Sequence, residues 1–248
     1  METLVIDGNV LLMSSVMVWR KRKYIPISYF LLLQVFRYVN QFKPDKVYIA
    51  VDGGGSWRKL IYPYYKANRK SFRESFPDVN WDAVFKEYDT LLQNLQRFTP
   101  FIVIKIEGLE GDDIISYICR YEKDAQIVIV SKDKDLKQLL VLPHVSLYLV
   151  KPKKKSEPIR SDDNNTVEQK IANGDVSDNI PKARSLEEAI RNEILVDLLN
   201  LPKTIDITIK RYLDNVKKDE SLYSQFVDVY KYKFLQKYTN LITKGGEQ

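Results

Sequence analysis

Residues 107–139 of the chain read EGLEGDDIISYICRYEKDAQIVIVSKDKDLKQL. A helix is expected to begin at Glu110-Gly111-Asp112-Asp113, and the apolar strand 127–130 ends directly in Ser131-Lys132-Asp133-Lys134-Asp135. The five carboxylates of these two motifs would lie at neighbouring ends of one helix and one buried strand. Two unit charges about 4 Å apart repel by roughly 1 kcal/mol in water and about 4 kcal/mol near a protein surface. The stretch therefore predicts a bound cation, and a hard one because every nearby ligand is an oxygen.

Each of the two motifs also has a simpler explanation when it is taken alone. Acidic residues at a helix N-terminus are stabilised by the macrodipole without any function. Charged residues just past a strand end are common because loops are solvated. The combination of both motifs with further acids at other strand ends favours the metal site.

Two more predicted strands end in an acid, because Thr3–Ile6 is followed by Asp7 and Lys46–Val51 by Asp52. Further strands are expected at Phe101–Ile106 and Val145–Val150, and helices at Val10–Trp19, Tyr29–Phe42 with Ser28 as cap, and Trp81–Phe98 with Asn80 as cap. Alternating strands and helices predict an α/β fold with a parallel sheet. Sites in such sheets lie beyond the carboxyl ends of the strands, where these acids are expected to converge.

The composition of the 248-residue chain, 44% hydrophobic and 29% charged, is typical of a globular protein with one sizeable domain and room for a smaller one. No apolar run approaches the length of a membrane span, and the first residues carry an acid and no basic leader. We therefore expect a soluble, cytoplasmic protein. The single cysteine, Cys119, and the single histidine, His144, cannot form an internal disulfide or a zinc site of several Cys or His ligands.

The formal net charge is +6, and its distribution indicates a nucleic-acid surface. Six cations and no acid occur from Arg58 to Arg73, interleaved with aromatic residues. Cations mixed with aromatics suit phosphates and unstacked bases. A second basic run, Lys151–Lys155, is more simply interpreted as a solvated face.

The composition changes after Lys151. Residues Ser156–Asn165 read as a polar linker, Thr166–Ala172 as a short helix, and Asn173–Pro181 as a turn rich in capping residues. Amphipathic helices are expected at Leu186–Leu199 and Ser221–Leu241. This part of the chain is expected to be all-α.

Six motifs occur along the chain in one order: VIDGN (5–9), VDGGGSWR (51–58), YKANR (65–69), EGDD (110–113), SKDKD (131–135) and GDVSDNIP (174–181). This order resembles the 5′ nuclease, or flap endonuclease, family, and in particular its bacteriophage members. The resemblance covers residues 1 to about 181. It implies a PIN-like α/β core over residues 1–155, a helical arch over residues 64–80, and a helical DNA-binding region over residues 156–248 with a degenerate helix-three-turn-helix.

The resemblance also implies roles for single residues. The acids implied around a first divalent ion are Asp7, Asp52, Glu110 and Asp112, with Asp113 in the same motif. Asp133 and Asp135 would lie near or between the two ions. Asp175 and Asp178 would be associated with the second ion. Lys66 and Arg69, at the base of the arch, would close on the scissile phosphate, and Tyr65 would stack on a base. The basic cluster, the C-terminal cations and the resemblance together predict these nucleic-acid contacts: Arg58, Lys59, Lys66, Arg69, Lys70, Arg73, Lys182 and Arg184.

The chain departs from the family at one place. Many members follow GDxxDNIPG with a glycine-rich hairpin whose backbone N–H groups hold a phosphate of the duplex. Here Lys182-Ala183-Arg184-Ser185 follows Pro181, without a glycine. The resemblance therefore does not extend to that duplex clamp or to its monovalent-ion site.

The implied activity is hydrolysis of phosphodiester bonds near 5′ ends with two Mg²⁺ ions, for which Mn²⁺ can substitute. The expected substrates are RNA primers, as in an RNase H activity, and DNA flaps during phage replication in the cytoplasm of an infected bacterium. DNA and RNA–DNA hybrid would be bound by a monomer, with a phage single-strand-binding protein or clamp as candidate partner and no membrane. Two alternatives remain: a PIN-type single-strand ribonuclease, which usually lacks a second GD-x-x-D motif, and a non-catalytic binder, which gains nothing from acids facing phosphate.

Overall fold

The computed structural model describes residues 1–68, 74–150, 157–161, 167–216 and 222–238. Within these residues the fold is built on a parallel five-stranded sheet with the order β3-β2-β1-β4-β5. The strands are β1 (Glu2–Asp7), β2 (Lys46–Asp52), β3 (Ile102–Ile106), β4 (Gln126–Ser131) and β5 (Val145–Leu149). The predicted α/β class, the parallel sheet and all five predicted strands are confirmed.

The helices before residue 150 connect the strands. They are α1 (Gly8–Trp19), α2 (Ile27–Phe42), α3 (Arg58–Ile61), α4 (Trp81–Phe98) and α5 (Gly111–Tyr121), followed by a 3-10 helix over Asp135–Val141. Asn80 caps α4 as predicted, since its side chain accepts from the N–H of Ala83 at 3.1 Å.

The predicted cap of α2 is wrong. The helix begins at Ile27, directly after Pro26, whose ring fixes the backbone at the entry to the first turn. Ser28 is already inside that turn, and its backbone N–H donates to Glu87 Oε1 at 2.9 Å. A carboxylate from α4 thus takes the place of a side-chain cap.

Alternate residues of the strands build two apolar layers. Leu4 and Ile6 of β1 pack with α1, α2 and α4, whereas Val5, between them, packs with α5 on the other face. The side chains of a strand alternate between the two faces, so both faces of these strands are covered and their sequences read as unbroken apolar runs.

Helices from the C-terminal part of the chain complete both layers. Their bounds are α6 (Val167–Asn173), α7 (Leu186–Val196), α8 (Lys203–Asp214) and α9 (Tyr223–Tyr230), with a short 3-10 helix over Leu235–Tyr238. Ile205 and Ile209 of α8 are buried in the layer of α5, and Tyr223 and Phe226 of α9 in the layer of α2 and α4. Both layers therefore contain residues from beyond position 156.

Two predicted C-terminal helices are present as α6 and α7, whereas the rest of this region differs from the prediction. Helix α8 is not anticipated, because its Thr and Ile residues favour strands, and the burial of Ile205 and Ile209 on one helical face outweighs that preference. The expected helix Ser221–Leu241 is wrong within the described residues, since α9 ends at Tyr230 and Lys231 adopts a left-handed backbone at φ 52°. None of the helices in the described ranges is long and apolar enough to cross a membrane.

Candidate active site

The carboxyl ends of β1, β2 and β4 and the N-terminus of α5 meet at one edge of the sheet. They line an open cavity of about 530 Å³ together with the loop that follows β4. The lining acids are Asp7, Asp52, Glu110, Asp112, Asp133 and Asp135. The predicted convergence of these residues is therefore present in the structure.

Asp7 is fixed by the junction between β1 and α1. Its Oδ1 accepts from the backbone N–H groups of Asn9 (2.9 Å) and Val10 (3.2 Å), and its Oδ2 accepts from Ser131 Oγ at 2.6 Å. The same residue thus ends a strand, caps a helix and lines the cavity. Gly8 permits this junction, because a Cβ at this position would lie 2.8 Å from Tyr88 Oη and 2.9 Å from the carbonyl oxygen of Ala50.

Asp52 links β2 to α5. Its Oδ1 accepts from the backbone N–H of Gly111 at 2.7 Å, and its Oδ2 accepts from Asn9 Nδ2 at 2.5 Å. The first turn of α5 is therefore held directly above the end of β2, with Asp112 facing the other acids. Asn9 and Ser131 were not among the predicted site residues, although both stand beside predicted acids in the sequence.

The acids of the cavity repel one another. Burial and the negative charges of Asp133, Asp7 and Asp52 raise the pKa of Asp112 well above its ordinary value, against the opposing charge of Lys66. Burial also raises the pKa of Asp7 to about 6. A cation among these oxygens would relieve the repulsion, so the donor set suits a hard divalent ion.

No group of three or more Asp, Glu, His or Cys side chains among the described residues is arranged to hold a metal ion. Lysines contact some of the carboxylate oxygens instead. Lys66 Nζ lies 2.6 Å from Glu110 Oε1 at the rim of the cavity. An ion that took Glu110 as a ligand would release the ammonium of Lys66 toward the cavity.

Asp113 is not a cavity residue, and its predicted metal role is corrected. Its side chain is fully buried, accepts from the backbone N–H of Glu110 at 2.9 Å, and lies 2.8 Å from the guanidinium of Arg58. Trp57 Nε1 also donates to it at 3.0 Å. Asp113 therefore closes the first turn of α5 and orients its neighbours.

The nucleic-acid contact predicted for Arg58 is likewise corrected, since a guanidinium that is 2% exposed cannot reach a nucleic acid. It contacts Asp113, donates to Glu110 Oε2 at 3.0 Å, and donates from Nε to the carbonyl of Leu195 in α7 at 2.9 Å. This one side chain ties α3, α5 and α7 together beneath the cavity.

The stacking role expected for Tyr65 is corrected as well. Its ring is 2% exposed, and its hydroxyl lies 3.0 Å from Glu110 Oε2 and 3.2 Å from Asp178 Oδ2. Burial and the charge of Glu110 raise the pKa of Tyr65, so the hydroxyl stays protonated and donates. The neighbouring Tyr64 is 65% exposed, and its ring lies 5.7 Å from that of Tyr62.

Asp175 and Asp178 lie beside this cavity, around a smaller one that Glu110, Asp112 and Asp135 also line. Asp175 Oδ1 accepts from the backbone N–H and the hydroxyl of Ser177, at 2.8 and 2.6 Å. Its Oδ2 lies 2.5 Å from Lys170 Nζ, which also contacts Asp135. Lys170 was missed, because a lysine in a short helix reads as solvent-facing.

The other predicted basic residues divide into two groups. Lys59, Lys182 and Arg184 are exposed, as a nucleic-acid contact requires. Arg69, Lys70, Arg73 and the run Lys151–Lys155 lie outside the described residues. The predicted arch, residues 64–80, is described at its two ends only.

Carboxylates gathered at the carboxyl edge of a parallel sheet, with a lysine at the rim, suit metal-dependent hydrolysis of phosphodiester bonds. The sequence model of the 5′-3′ exonuclease, N-terminal resolvase-like domain, matches residues 2–172, and the chain belongs to this family. It is accordingly a 5′ nuclease, a divalent-metal-dependent hydrolase of phosphodiester bonds. The resemblance predicted from the six motifs is confirmed.

Individual relatives agree with this assignment. The 5′-3′ exonuclease of Mycoplasmopsis pulmonis is 27% identical over 213 residues, covering 82% of this chain and 69% of that protein. Ribonuclease H of Enterobacteria phage T4 is 28% identical over 143 residues, covering 56% of this chain and 47% of that protein. DNA polymerase I of Caldicellulosiruptor bescii is 30% identical over 209 residues, and only 22% of its length is matched.

Solved structures share the fold. The T5 D15 protein co-crystallised with metal ions has a TM-score of 0.69 and 18% identity, covering 88% of this chain and all of that chain. The T5 D15 flap endonuclease in a complex with DNA and metal ions has a TM-score of 0.59 and 19% identity, with both chains fully covered.

Proposed function

We propose that the chain is a 5′ to 3′ exonuclease and flap endonuclease that removes RNA primers and DNA flaps during replication of a phage genome. The observation that carries the proposal is the position of Asp112 in the cavity beside Asp133, Asp7 and Asp52, where burial and their negative charges raise its pKa. A pure binding protein would gain nothing from such acids, because they repel phosphate.

The residues divide between two ion positions. Asp7, Asp52, Glu110 and Asp112 would hold the first ion, and Asp175 and Asp178 the second, with Asp133 and Asp135 near both. When bound, two Mg²⁺ ions, or Mn²⁺ in their place, supply an activated water and stabilise the charge on the leaving oxygen.

The chain itself binds and orients the phosphate. Lys66 lies at the rim of the cavity, and its ammonium, once released from Glu110, is placed to stabilise charge that grows on the scissile phosphate. The exposed Tyr64 offers a ring on which an unpaired terminal base can stack. Lys59, Lys182 and Arg184 supply exposed positive charge for the backbone of the strand.

Three observations on relatives support the substrate class. The phage T4 relative is named a ribonuclease H, the T5 neighbour is named a flap endonuclease, and that neighbour was crystallised with DNA. We extend these to a monomer that acts on DNA and RNA–DNA hybrid with 5′ flaps or ends in the cytoplasm of an infected bacterium. A phage single-strand-binding protein or clamp is the proposed partner, because the chain lacks the glycine hairpin that grips duplex in many members of the family.

The test compares a 5′-labelled DNA flap, an RNA–DNA hybrid and a single-stranded RNA, each incubated with and without Mg²⁺. We expect metal-dependent cleavage of the flap and the hybrid near the 5′ end, and none with Asp112→Asn. Cleavage of single-stranded RNA alone would instead support the PIN-type ribonuclease. Binding of both substrates without any cleavage would support the non-catalytic binder.

A further inference from the structure

We propose that the ammonium group of Lys170 occupies the position of the second metal ion, and that it must move away before that ion can bind. The inference rests on the proposed two-ion function. Lys170 Nζ lies 2.6 and 2.7 Å from the two carboxylate oxygens of Asp135 and 2.5 Å from Asp175 Oδ2. Three oxygens that would face the second ion are therefore already occupied by an ammonium group.

The backbone around Lys170 is built to hold this geometry. Gly174 follows α6 with φ +76°, and a Cβ there would lie 2.3 Å from the carbonyl oxygen of Ile180. The chain can therefore reverse immediately after α6, and Asp175 returns to face a residue five positions before it. The backbone N–H and carbonyl groups of Asp175 and Ile180 pair with each other at 2.8 Å and close this reversal.

A buried amide fixes α6 against the rest of the molecule. Asn192 of α7 is fully buried, and its Nδ2 donates to the carbonyl of Ile171 at 3.0 Å and to that of Pro181 at 2.9 Å. One side chain thus holds both the helix that carries Lys170 and the end of the loop that carries Asp175. The side chain of Lys170 is only 21% exposed, so its ion pairs with Asp135 and Asp175 are partly shielded from solvent.

An ammonium and a divalent cation cannot share the same carboxylate oxygens, because two cations at contact distance repel strongly. The metal-free protein is therefore stabilised by Lys170, which offsets the repulsion between Asp135 and Asp175. The same contact lowers the affinity of this position for Mg²⁺ or Mn²⁺. A substrate phosphate offers Lys170 a new anionic partner, so its arrival would free the carboxylates and couple second-ion binding to substrate binding.

The main experiment is calorimetric titration of the full chain with Mn²⁺ in the absence of nucleic acid. We expect the wild type to bind one ion well, and Lys170→Met to bind a second ion with a Kd at least tenfold lower than the wild type shows for it. Lys210→Met is the matched control, because it removes a lysine–aspartate ion pair on the exposed face of α8. Superimposable titrations of wild type and Lys170→Met, or a loss of metal binding in Lys170→Met, would overturn the proposal.

A second measurement uses the wild-type protein alone, so it tests the proposal even if Lys170→Met fails to fold. Lysine acetylation, quantified by mass spectrometry, should modify Lys170 of the wild type slowly without metal and several-fold faster at saturating Mn²⁺. Equal rates with and without Mn²⁺ would show that no ion displaces the ammonium. Failure of the wild type to cleave a flap would count against the proposed function, whereas both measurements on Lys170 are made without a substrate.

Discussion

The backbone N–H of Lys66 donates a hydrogen bond of 2.8 Å to the backbone carbonyl of Asp178. Lys66 adopts a left-handed backbone at φ 56°, which is unfavourable for a residue with a Cβ and must be held by its surroundings. Two side-chain bonds flank this contact, from Asn68 Nδ2 to the carbonyl of Val176 at 2.6 Å and from Asn179 Nδ2 to that of Tyr64 at 2.7 Å. These three bonds, here called the arch latch, join Lys66 and its neighbours to the Asp175–Asp178 loop.

From the latch we predict that two asparagines that do not line the acidic cavity, Asn68 and Asn179, affect the rate of cleavage. Asn68→Ala combined with Asn179→Gly should lower the single-turnover rate by about tenfold or more, because misplacement of a catalytic group is costly. Glycine is chosen at 179 because this position has φ 58°. Asn215→Ala, which removes an equivalent amide-to-carbonyl bond at the end of α8, should leave the rate unchanged. A wild-type rate in the double variant would show that the latch does not position Lys66.

The acids of the main cavity should be required for cleavage but not for binding. Asp112→Asn or Asp133→Asn should reduce cleavage by several orders of magnitude while affinity for a flap stays equal or increases, since negative charge facing phosphate is removed. Asp124→Asn, an exposed acid just before β4, is the control and should behave as wild type. Turnover near the normal value in either cavity variant would contradict the site.

Arg58 should act on stability rather than on nucleic-acid binding. Arg58→Met leaves Asp113 buried without a cation and Glu110 with Lys66 alone, and the loss of one partner of a buried ion pair costs about 3–5 kcal/mol of the free energy of unfolding. Its exposed neighbour serves as the control, because Lys59→Met should shift stability by less than about 0.5 kcal/mol. Urea denaturation of the metal-free proteins measures both. An Arg58→Met protein of normal stability but weakened DNA affinity would restore the nucleic-acid role.

The environment of Asp7 predicts an unusual pH dependence of stability for the metal-free protein. Its pKa is raised from 3.8 to about 6, so the native state holds a proton that the unfolded state has lost between these values. Stability should therefore fall as pH rises through this window, by up to about 3 kcal/mol from this group. Asp7→Asn should remove that part of the fall, as measured by denaturant unfolding in EDTA from pH 4 to 8. Parallel pH profiles for the two proteins would contradict the raised pKa.

Duplex binding should be weak and strongly salt-dependent. Lys182, Arg184 and Lys203 are exposed point charges, and nothing like the glycine hairpin follows Pro181 in the sequence. Affinity for duplex should fall tenfold or more between about 50 and 200 mM salt. Fluorescence anisotropy measures the duplex affinity across the salt series. The test is the double variant Lys182→Ala with Arg184→Ala, and the control is Lys123→Ala, which lies far from the cavity. Long processive runs by the protein alone at physiological salt, with trap DNA in excess, would show that another element replaces the hairpin.

The sheet and its acidic edge could be predicted because the local sequence determines both. Short runs of β-branched residues such as residues 127–130 are typical of buried strands, and an acid directly after such a run then lies at the edge of the sheet. The roles of Arg58, Tyr65 and Asp113 could not be predicted in the same way. Their types are those of site residues, and only the packing of α3 and α7 against α5 decides that they are buried partners of one another. Lys170 was missed for the converse reason, since its partners lie on other parts of the chain.

The antiparallel bridge between Ile159 and Leu147 has a practical consequence. Leu147 pairs with Ile129 on one side and, through two backbone hydrogen bonds of 2.9 Å, with Ile159 on the other. A fragment that stops at residue 155 would lose this cover on the outer side of β5, and with it the α8 residues that shield α5. An uncovered strand edge is a template for pairing with other molecules. We therefore expect the acid-bearing fragment 1–155 to aggregate on expression, which makes the helical remainder of the chain a solubility element as well as a part of the enzyme.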